Sequence, residues 1–388
     1  MKILIAPLAA LAETKGPFSR ARALVKAALD RGHKAAFCAA LDYNYQPVEG
    51  APNYPAPCPS PFGTPLWLGR RLFKLASRLG VQQRRNVRSF EEVLYIMGAS
   101  HPRFFPRDVQ ALCAAMRAFQ PDVVFAEFRP AAIVAAKLEN IPVVTGYSYP
   151  VQTSYANSPQ YGGGVRDFVR RNNLPPIHSA LEVFDWAELK FVASSYELEP
   201  IPGEQVFHVG PFIPLQPPTH PPATRKRIMA YMGTGTISSR LLRQTLIEAF
   251  ANGENPVHLA SQELLPEQIG SLQIDRFFDF NLLMPETMMF INHGGQNSIM
   301  TGLVHGAPQA ICPGRVFERQ YNARSVEVLG AGRCLKPEEF TAAILRELLA
   351  EFAADPTIHS RALAAGKNLM SLGGVQRVLD VLESRYTR

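Results

Sequence analysis

The stretch Phe290-Ile-Asn-His-Gly-Gly-Gln-Asn-Ser-Ile-Met-Thr-Gly-Leu-Val-His-Gly-Ala-Pro-Gln-Ala-Ile-Cys-Pro313, followed by Glu318-Arg319-Gln320-Tyr321-Asn322-Ala323, says most about how this chain folds. It reads as a short apolar strand, a glycine turn, a helix, and a second apolar strand closed by proline. Gly294 and Gly295 at the strand-to-helix junction let backbone N–H groups approach an anion. Asn297 and Ser298 fall in the first helical turn, where amides lack an acceptor within their own helix. A diphosphate needs this arrangement to be gripped. A Gly-Gly turn also serves plain helix packing, so the whole ordered set carries the reading rather than the pair alone.

Outward from this stretch the same alternation recurs. Apolar strands are expected at Ile3 to Leu8, Lys34 to Ala40, Val123 to Ala126, Val143 to Gly146 and Ile228 to Met232, with helices at Ser19 to Arg31, Ala131 to Glu139 and Ser239 to Ala251. Such alternation predicts parallel βαβ units in an α/β fold. Six prolines between 211 and 222 cannot continue a helix or a central strand and mark a linker. The expected division is residues 1–210, a proline-rich linker at 211–224, a second Rossmann-like domain at 225–370, and a last helix at 371–388. Tyr231-Met-Gly-Thr-Gly-Thr236 ends the first strand of the second half, which makes Gly233, Thr234 and Gly235 a second candidate phosphate loop.

With 388 residues the chain is long enough for two cores, and 47% hydrophobic residues is ordinary for a globular protein. The five cysteines are scattered, without a Cys-x-x-Cys pair, which argues against a disulfide framework or a structural zinc site and fits a reducing, cytoplasmic setting. The apolar start could pass for a short signal peptide, but its continuation into a helix and a second strand favours a buried first strand. The net charge of +7 favours anionic partners, and charge alone does not choose among nucleotide sugars, an anionic membrane and nucleic acid.

The order His-Gly-Gly-x-Asn-Ser, Gly-x-Pro, Pro, then an acid and Asn-Ala resembles the donor-binding motif of family 1 glycosyltransferases, and specifically their bacterial branch. The resemblance implies a GT-B fold, in which two Rossmann-like domains face a cleft and the last helix crosses back to the first domain. It implies metal-independent, inverting transfer of a sugar from a dTDP- or UDP-sugar to a small-molecule, lipid or peptide acceptor, as in natural-product or glycolipid biosynthesis. No metal and no cofactor beyond the nucleotide sugar is expected, and no nucleic acid. His293 holds the position that contacts the donor phosphate in this family. Thr301 stands where many UDP-sugar enzymes carry a ribose-binding glutamate, which points toward the dTDP branch. Glu318 keeps the carboxylate that holds the donor sugar, whereas Arg319 replaces an amide; either Arg319 faces the site or it points away and Gln320 substitutes. Phe280 is the candidate that stacks the nucleobase, or else a core residue.

The acceptor side departs further from the family. Pro17 stands where its histidine base is found, and proline cannot take a proton. Glu127, in place of the aspartate that orients that histidine, is the expected base, with Glu13 as substitute; alternatively Glu127 pairs with Arg129 or Arg103 as a structural salt bridge. His33 resembles a structural family residue, and His101 is a candidate for lining the acceptor cleft. Loss of the histidine leaves two other readings: a non-catalytic nucleotide-sugar-binding partner protein, and a nucleotide-sugar epimerase on the same fold. Residues 66–88 carry seven basic residues and no acid, with Leu68, Leu72, Leu75 and Leu79 opposite Arg70 and Lys74 on a helix. Such a helix either packs its apolar face on the core or lies against an anionic membrane at the cytoplasmic face.

Overall fold

A computed structural model describes residues 1–8, 15–42, 45–78, 86–218, 224–233 and 235–387; the side chains of residues 15, 73, 74, 77 and 78 also fall outside the description. The chain divides into two compact units, Met1–Leu75 with Arg88–Ile213 and Leu372–Arg388, and Ala76–Val87 with Pro214–Ser371.

In chain order the strands are β1 (Lys2–Pro7), β2 (Lys34–Ala40), β3 (Asn53–Ala56), β4 (Asn86–Val87), β5 (Val123–Glu127), β6 (Val143–Tyr147), β7 (Leu189–Val192), β8 (Val206–His208), β9 (Arg227–Tyr231), β10 (Val257–Ala260), β11 (Glu267–Ile269), β12 (Leu272–Asp275), β13 (Thr287–Asn292), β14 (Gln309–Ile311), β15 (Arg315–Val316) and β16 (Gly332–Cys334). The first unit holds a seven-stranded parallel sheet in the order β3-β2-β1-β5-β6-β7-β8. Its strands are covered on both faces, so they read as continuous apolar runs; β2 buries all of its residues except Lys34. On one face α1 (Lys15–Asp30) packs Phe18, Leu24 and Val25 against Ile3, Ile5 and Phe125.

The terminal helix Gly374–Tyr386 belongs to this same core, through Val378, Leu379 and Leu382. Its polar face is tied down as well: Arg31 Nη1 meets Asp380 at 2.7 Å, and His33 Nε2 meets Glu383 at 2.7 Å. His33 therefore has a structural partner.

The second unit holds its own seven-stranded sheet, β11-β12-β10-β9-β13-β14-β16, parallel except where β11 runs against β12. A separate two-stranded pair joins β15 to β4. Asn86 and Val87 thus group with the second unit, although they sit far inside the 1–210 segment that the sequence suggested as one domain.

Each main sheet reverses its order of growth once. In the first, β2 and β3 extend one side of β1 before β5 returns on the other; in the second, β10 and β12 extend one side of β9 before β13 returns on the other. At such a reversal the crossovers leave in opposite directions and open a crevice at the carboxyl ends of the two central strands, which is where open α/β sheets bind ligands. The crevice residues are Pro7 and Glu127 in the first unit and Tyr231 and Asn292 in the second, each pair in direct register.

Candidate functional site

The crevice of the second unit is built from glycine. After Asn292 the chain turns through His293 and Gly294 into helix Gln296–Val304, with Gly295 as N-cap. Gly294 has φ +79°, and a Cβ there would come within 2.8 Å of the Arg319 carbonyl, so only glycine fits. Asn292 is fully buried: its Oδ1 accepts from the Gly294 N–H at 2.8 Å and its Nδ2 donates to Gln309 Oε1 at 2.9 Å. Asn322 Nδ2 donates to the Gly294 carbonyl at 2.9 Å. The turn is therefore fixed from both sides by buried amides, and the helix that begins behind it has no side-chain cap from Gly295.

Three other segments converge on this turn. A Cβ at Gly233 would lie 3.3 Å from His293 Cε1, and one at Gly235 would lie 3.1 Å from His293 Cβ, which places these two glycines against His293. A Cβ at Gly314 would collide with Thr236 Oγ1, a buried hydroxyl with no hydrogen-bond partner among the described residues. The first turn of helix Phe317–Val328 brings Glu318 and Arg319, and Arg319 is the one that packs on Gly294. Gln320 Nε2 donates to the Gly314 carbonyl at 2.8 Å. What meets the turn from Arg319 is its backbone carbonyl and Cβ.

The electrostatics follow from this packing. Burial holds the His293 imidazole down to about 3, with the nearby Arg319 charge adding to the effect and the Tyr231 carbonyl opposing it. The ring is neutral at physiological pH, and its Nδ1 is buried without a partner among the described residues. Positive potential at the turn comes from the Arg319 guanidinium and the helix N-terminus. Tyr231 stands edge-on to His293 at 5.9 Å, and Phe280 stands edge-on to Tyr231 and to Phe290, each at 6.0 Å. Phe280 is half-buried in this aromatic row, while its neighbour Phe277 is exposed.

The crevice of the first unit is of a different kind. Glu127 ends β5 with only 1% exposure, and Arg20 Nε donates to its Oε1 at 2.5 Å. Arg20 lies one turn along α1 from Pro17 and also covers the Phe128 ring, 5.5 Å from its centroid. Burial pushes the Glu127 carboxyl up, while the charge of Arg20 and its hydrogen bond pull it back. Arg129, by contrast, is bound to Asp108 and donates to the carbonyls of Pro7 and Cys38. The salt bridge expected between Glu127 and Arg129 or Arg103 is thus corrected: Arg20 is the partner, because the helix delivers its guanidinium to the strand end and Asp108 already satisfies Arg129.

Known proteins can be set beside this geometry. Residues 257–380 match the family model of the erythromycin biosynthesis protein CIII-like C-terminal domain. Among curated proteins the chain is 29% identical over 234 residues to the NDP-glycosyltransferase YjiC of Bacillus licheniformis, covering 56% of this chain and 58% of that protein. It is 26% identical over 220 residues to the aclacinomycin-T 2-deoxy-L-fucose transferase of Streptomyces galilaeus, covering 50% and 49%. The chain spans about half the length of these curated relatives that it matches. Among solved structures, the calicheamicin glycosyltransferase CalG4 superposes with a TM-score of 0.74 at 17% identity, over 100% of this chain and 99% of that one. The chain resembles the bacterial family 1 glycosyltransferases over these matched segments, and its fold is GT-B. A further GT-B neighbour is the spinosyn rhamnosyltransferase SpnG complexed with thymidine diphosphate, with a TM-score of 0.68 at 18% identity over 99% and 100% of the two chains.

Within this GT-B frame the remaining expected residues fall as follows. Ser298 is buried and Asn297 half-buried in the first turn after the glycine pair. Thr301 is buried, and its hydroxyl donates to the Asn297 carbonyl at 2.8 Å, so its proton is spent inside the helix. His101 packs its ring on the Gly63 turn, and its Nδ1 accepts from the Arg103 N–H at 3.3 Å. Glu13 and Thr234 lie outside the described residues. In helix Leu66–Arg78 the exposures of Leu72 and Leu75, 41% and 53%, correct the idea that this apolar face packs wholly on the core. Arg20, Thr236, Asn292 and Gln309 were not singled out from sequence. Asparagine at the end of an otherwise apolar strand was a usable signal, because an amide there must find partners.

Proposed function

We propose that this GT-B chain transfers a sugar from a dTDP- or UDP-sugar to an acceptor nucleophile, with inversion and without a metal. The observation that carries the reading is the glycine cradle at the switch point of the second unit, where Gly233, Gly235, Gly294 and Gly295 surround a neutral His293 beside the Arg319 guanidinium. A diphosphate seated there meets backbone N–H groups, a helix N-terminus and one cation. As the sugar leaves, negative charge grows on the oxygen it left, and the same groups stabilise that charge. His293 acts in this scheme as a hydrogen-bonding group rather than as a charge. Glu318 and Arg319 hold the sugar, Phe280 with Tyr231 forms a shelf for the base, and Thr301 lies under the ribose. Relatives that carry thymidine diphosphate or dTDP in the crystal, the SpnG and VinC glycosyltransferases, support a dTDP donor.

Glu127 is the proposed proton acceptor, supported by its position at the other switch point and by burial, which raises its carboxyl above the ordinary range and makes the carboxylate, held ionised by Arg20, a stronger base. In this scheme Arg20 must swing aside for the acceptor hydroxyl to reach it. The discriminating variant is Glu127→Gln. Transfer should fall at least about a hundredfold while nucleotide affinity stays unchanged; loss of both together, with a lowered melting temperature, would assign Glu127 to structure alone.

A second reading concerns where the protein works. No helix among the described residues is long and apolar enough to cross a membrane. Yet Trp67 is 62% exposed, Phe62 and Leu75 are exposed as well, and Arg71 lies 5.6 Å from the Trp67 ring centre. Apolar and basic side chains without an acid favour peripheral contact with anionic lipid. Sedimentation with phosphatidylglycerol vesicles, compared with phosphatidylcholine alone, tests it; equal recovery in both supernatants would exclude it.

A further inference from the structure

The segment from Cys312 to Phe317 leaves the main sheet after Ile311 and must reach helix Phe317–Val328 without further support from β14. Its regular pairing is with β4, in the register Arg315 to Asn86 and Val316 to Val87. Val87 is only 6% exposed, and Val316 is the N-cap of the helix that begins at Phe317. Upstream of the pair, Gly314 at φ +63° rests on Thr236; downstream, Arg319 rests on Gly294. The two-residue strand is therefore the midpoint of a bridge between both glycine loops. The loops themselves hang from β9 and β13, deep in the sheet, whereas Glu318 and Arg319 ride on the bridge.

We propose that β4 is a clamp supplied by an early segment of the chain, which positions Glu318 and Arg319 and thereby sets recognition of the sugar half of the donor. The inference rests on the nucleotide-sugar reading of the second unit. Because the diphosphate contacts other than Arg319 belong to loops held by the main sheet, loosening the clamp acts unequally on the two halves of the ligand: sugar recognition weakens far more than diphosphate binding does. Asn86 and Val87 are positioning residues, since they act through β15 and the helix behind it.

The test uses Val87→Pro, whose ring restricts the backbone of the pair, Val87→Gly, which frees that backbone and removes the buried side chain, and Val87→Ile as the conservative control. Backbone hydrogen exchange at residues 315–317 is read together with calorimetric affinities for dTDP, UDP, dTDP-glucose and UDP-glucose. In the proline or glycine variant, residues 315–317 should exchange faster while β13 stays protected. Affinity for the better nucleotide sugar should fall about tenfold, with the matching nucleotide diphosphate changed by less than about twofold, and Val87→Ile should restore both. Unchanged exchange at 315–317, or parallel loss of nucleotide and nucleotide sugar, would overturn the clamp. If the unaltered chain binds none of the four ligands, the nucleotide-sugar reading has failed and the specificity role fails with it; exchange at 315–317 still reports separately whether β4 holds the bridge.

Discussion

The two switch points of this molecule share a topology and differ in chemistry. Both lie at the carboxyl ends of two central parallel strands, and both are flanked by helices that begin close by. In the second unit the crevice is lined by glycine and a neutral histidine, and its buried polar atoms include two, His293 Nδ1 and Thr236 Oγ1, with no partner among the described residues. In the first unit the crevice contains a buried ion pair, Arg20 with Glu127. A site with glycine turns and unspent polar atoms is arranged for a ligand to complete it. A site whose charges satisfy each other is closed until something separates them. The difference teaches that a shared fold fixes where a ligand can sit, and the side chains decide whether the place is open.

The largest effect expected is at Gly294. Gly294→Val places a branched side chain at φ +79° and against the Arg319 carbonyl, so nucleotide binding should fall by at least about a hundredfold in calorimetry. Retained affinity would show that the turn does not touch the ligand. The next break falls on the other crevice. Arg20→Ala leaves Glu127 buried and unpaired and should cost about 3 kcal/mol in urea unfolding, whereas the double variant Arg20→Leu with Glu127→Leu should recover much of that loss. No recovery would mean that the pair is not the self-sufficient unit described here.

These two predictions also mark what was legible in the sequence. The alternation of strands and helices was legible because parallel strands buried on both faces require continuous apolar runs, as in Lys34–Ala40. The glycine turn was legible because the order of glycines, amides and hydroxyls has few other uses. The Arg20–Glu127 pair was not. A guanidinium on a helix can reach several acids, and nothing in the residues between Arg20 and Glu127 reveals that the helix start aims it at the end of β5. The pairing of Asn86 with Arg315 was hidden for a similar reason: a two-residue strand has no periodicity to detect.

Acid sharpens the comparison at a smaller scale. His293 and His258 are held down to about 3 and about 4, chiefly by burial, from an ordinary 6.5. Both groups bind protons in the unfolded chain between pH 6.5 and those values while staying neutral in the folded one, so the sign is fixed: stability is kept above pH 6.5 and lost as pH falls toward 4. Chemical denaturation at pH 7 and pH 5 should show the loss, and His293→Gln should reduce it. A pH-independent midpoint would contradict neutral burial. The smallest effect concerns the ribose: with its hydroxyl bonded to Asn297, Thr301 gives little discrimination, and Thr301→Glu should raise UDP affinity relative to dTDP by roughly fivefold.

The central claim is that the second unit's crevice is an anion site for a nucleotide diphosphate, which a direct calorimetric titration of dTDP, UDP and GDP into the unaltered protein and into Gly294→Val tests most directly. The account predicts one saturable site for dTDP or UDP in the unaltered protein and none in the variant. Heat from none of the three nucleotides, or equal binding by both proteins, would contradict it.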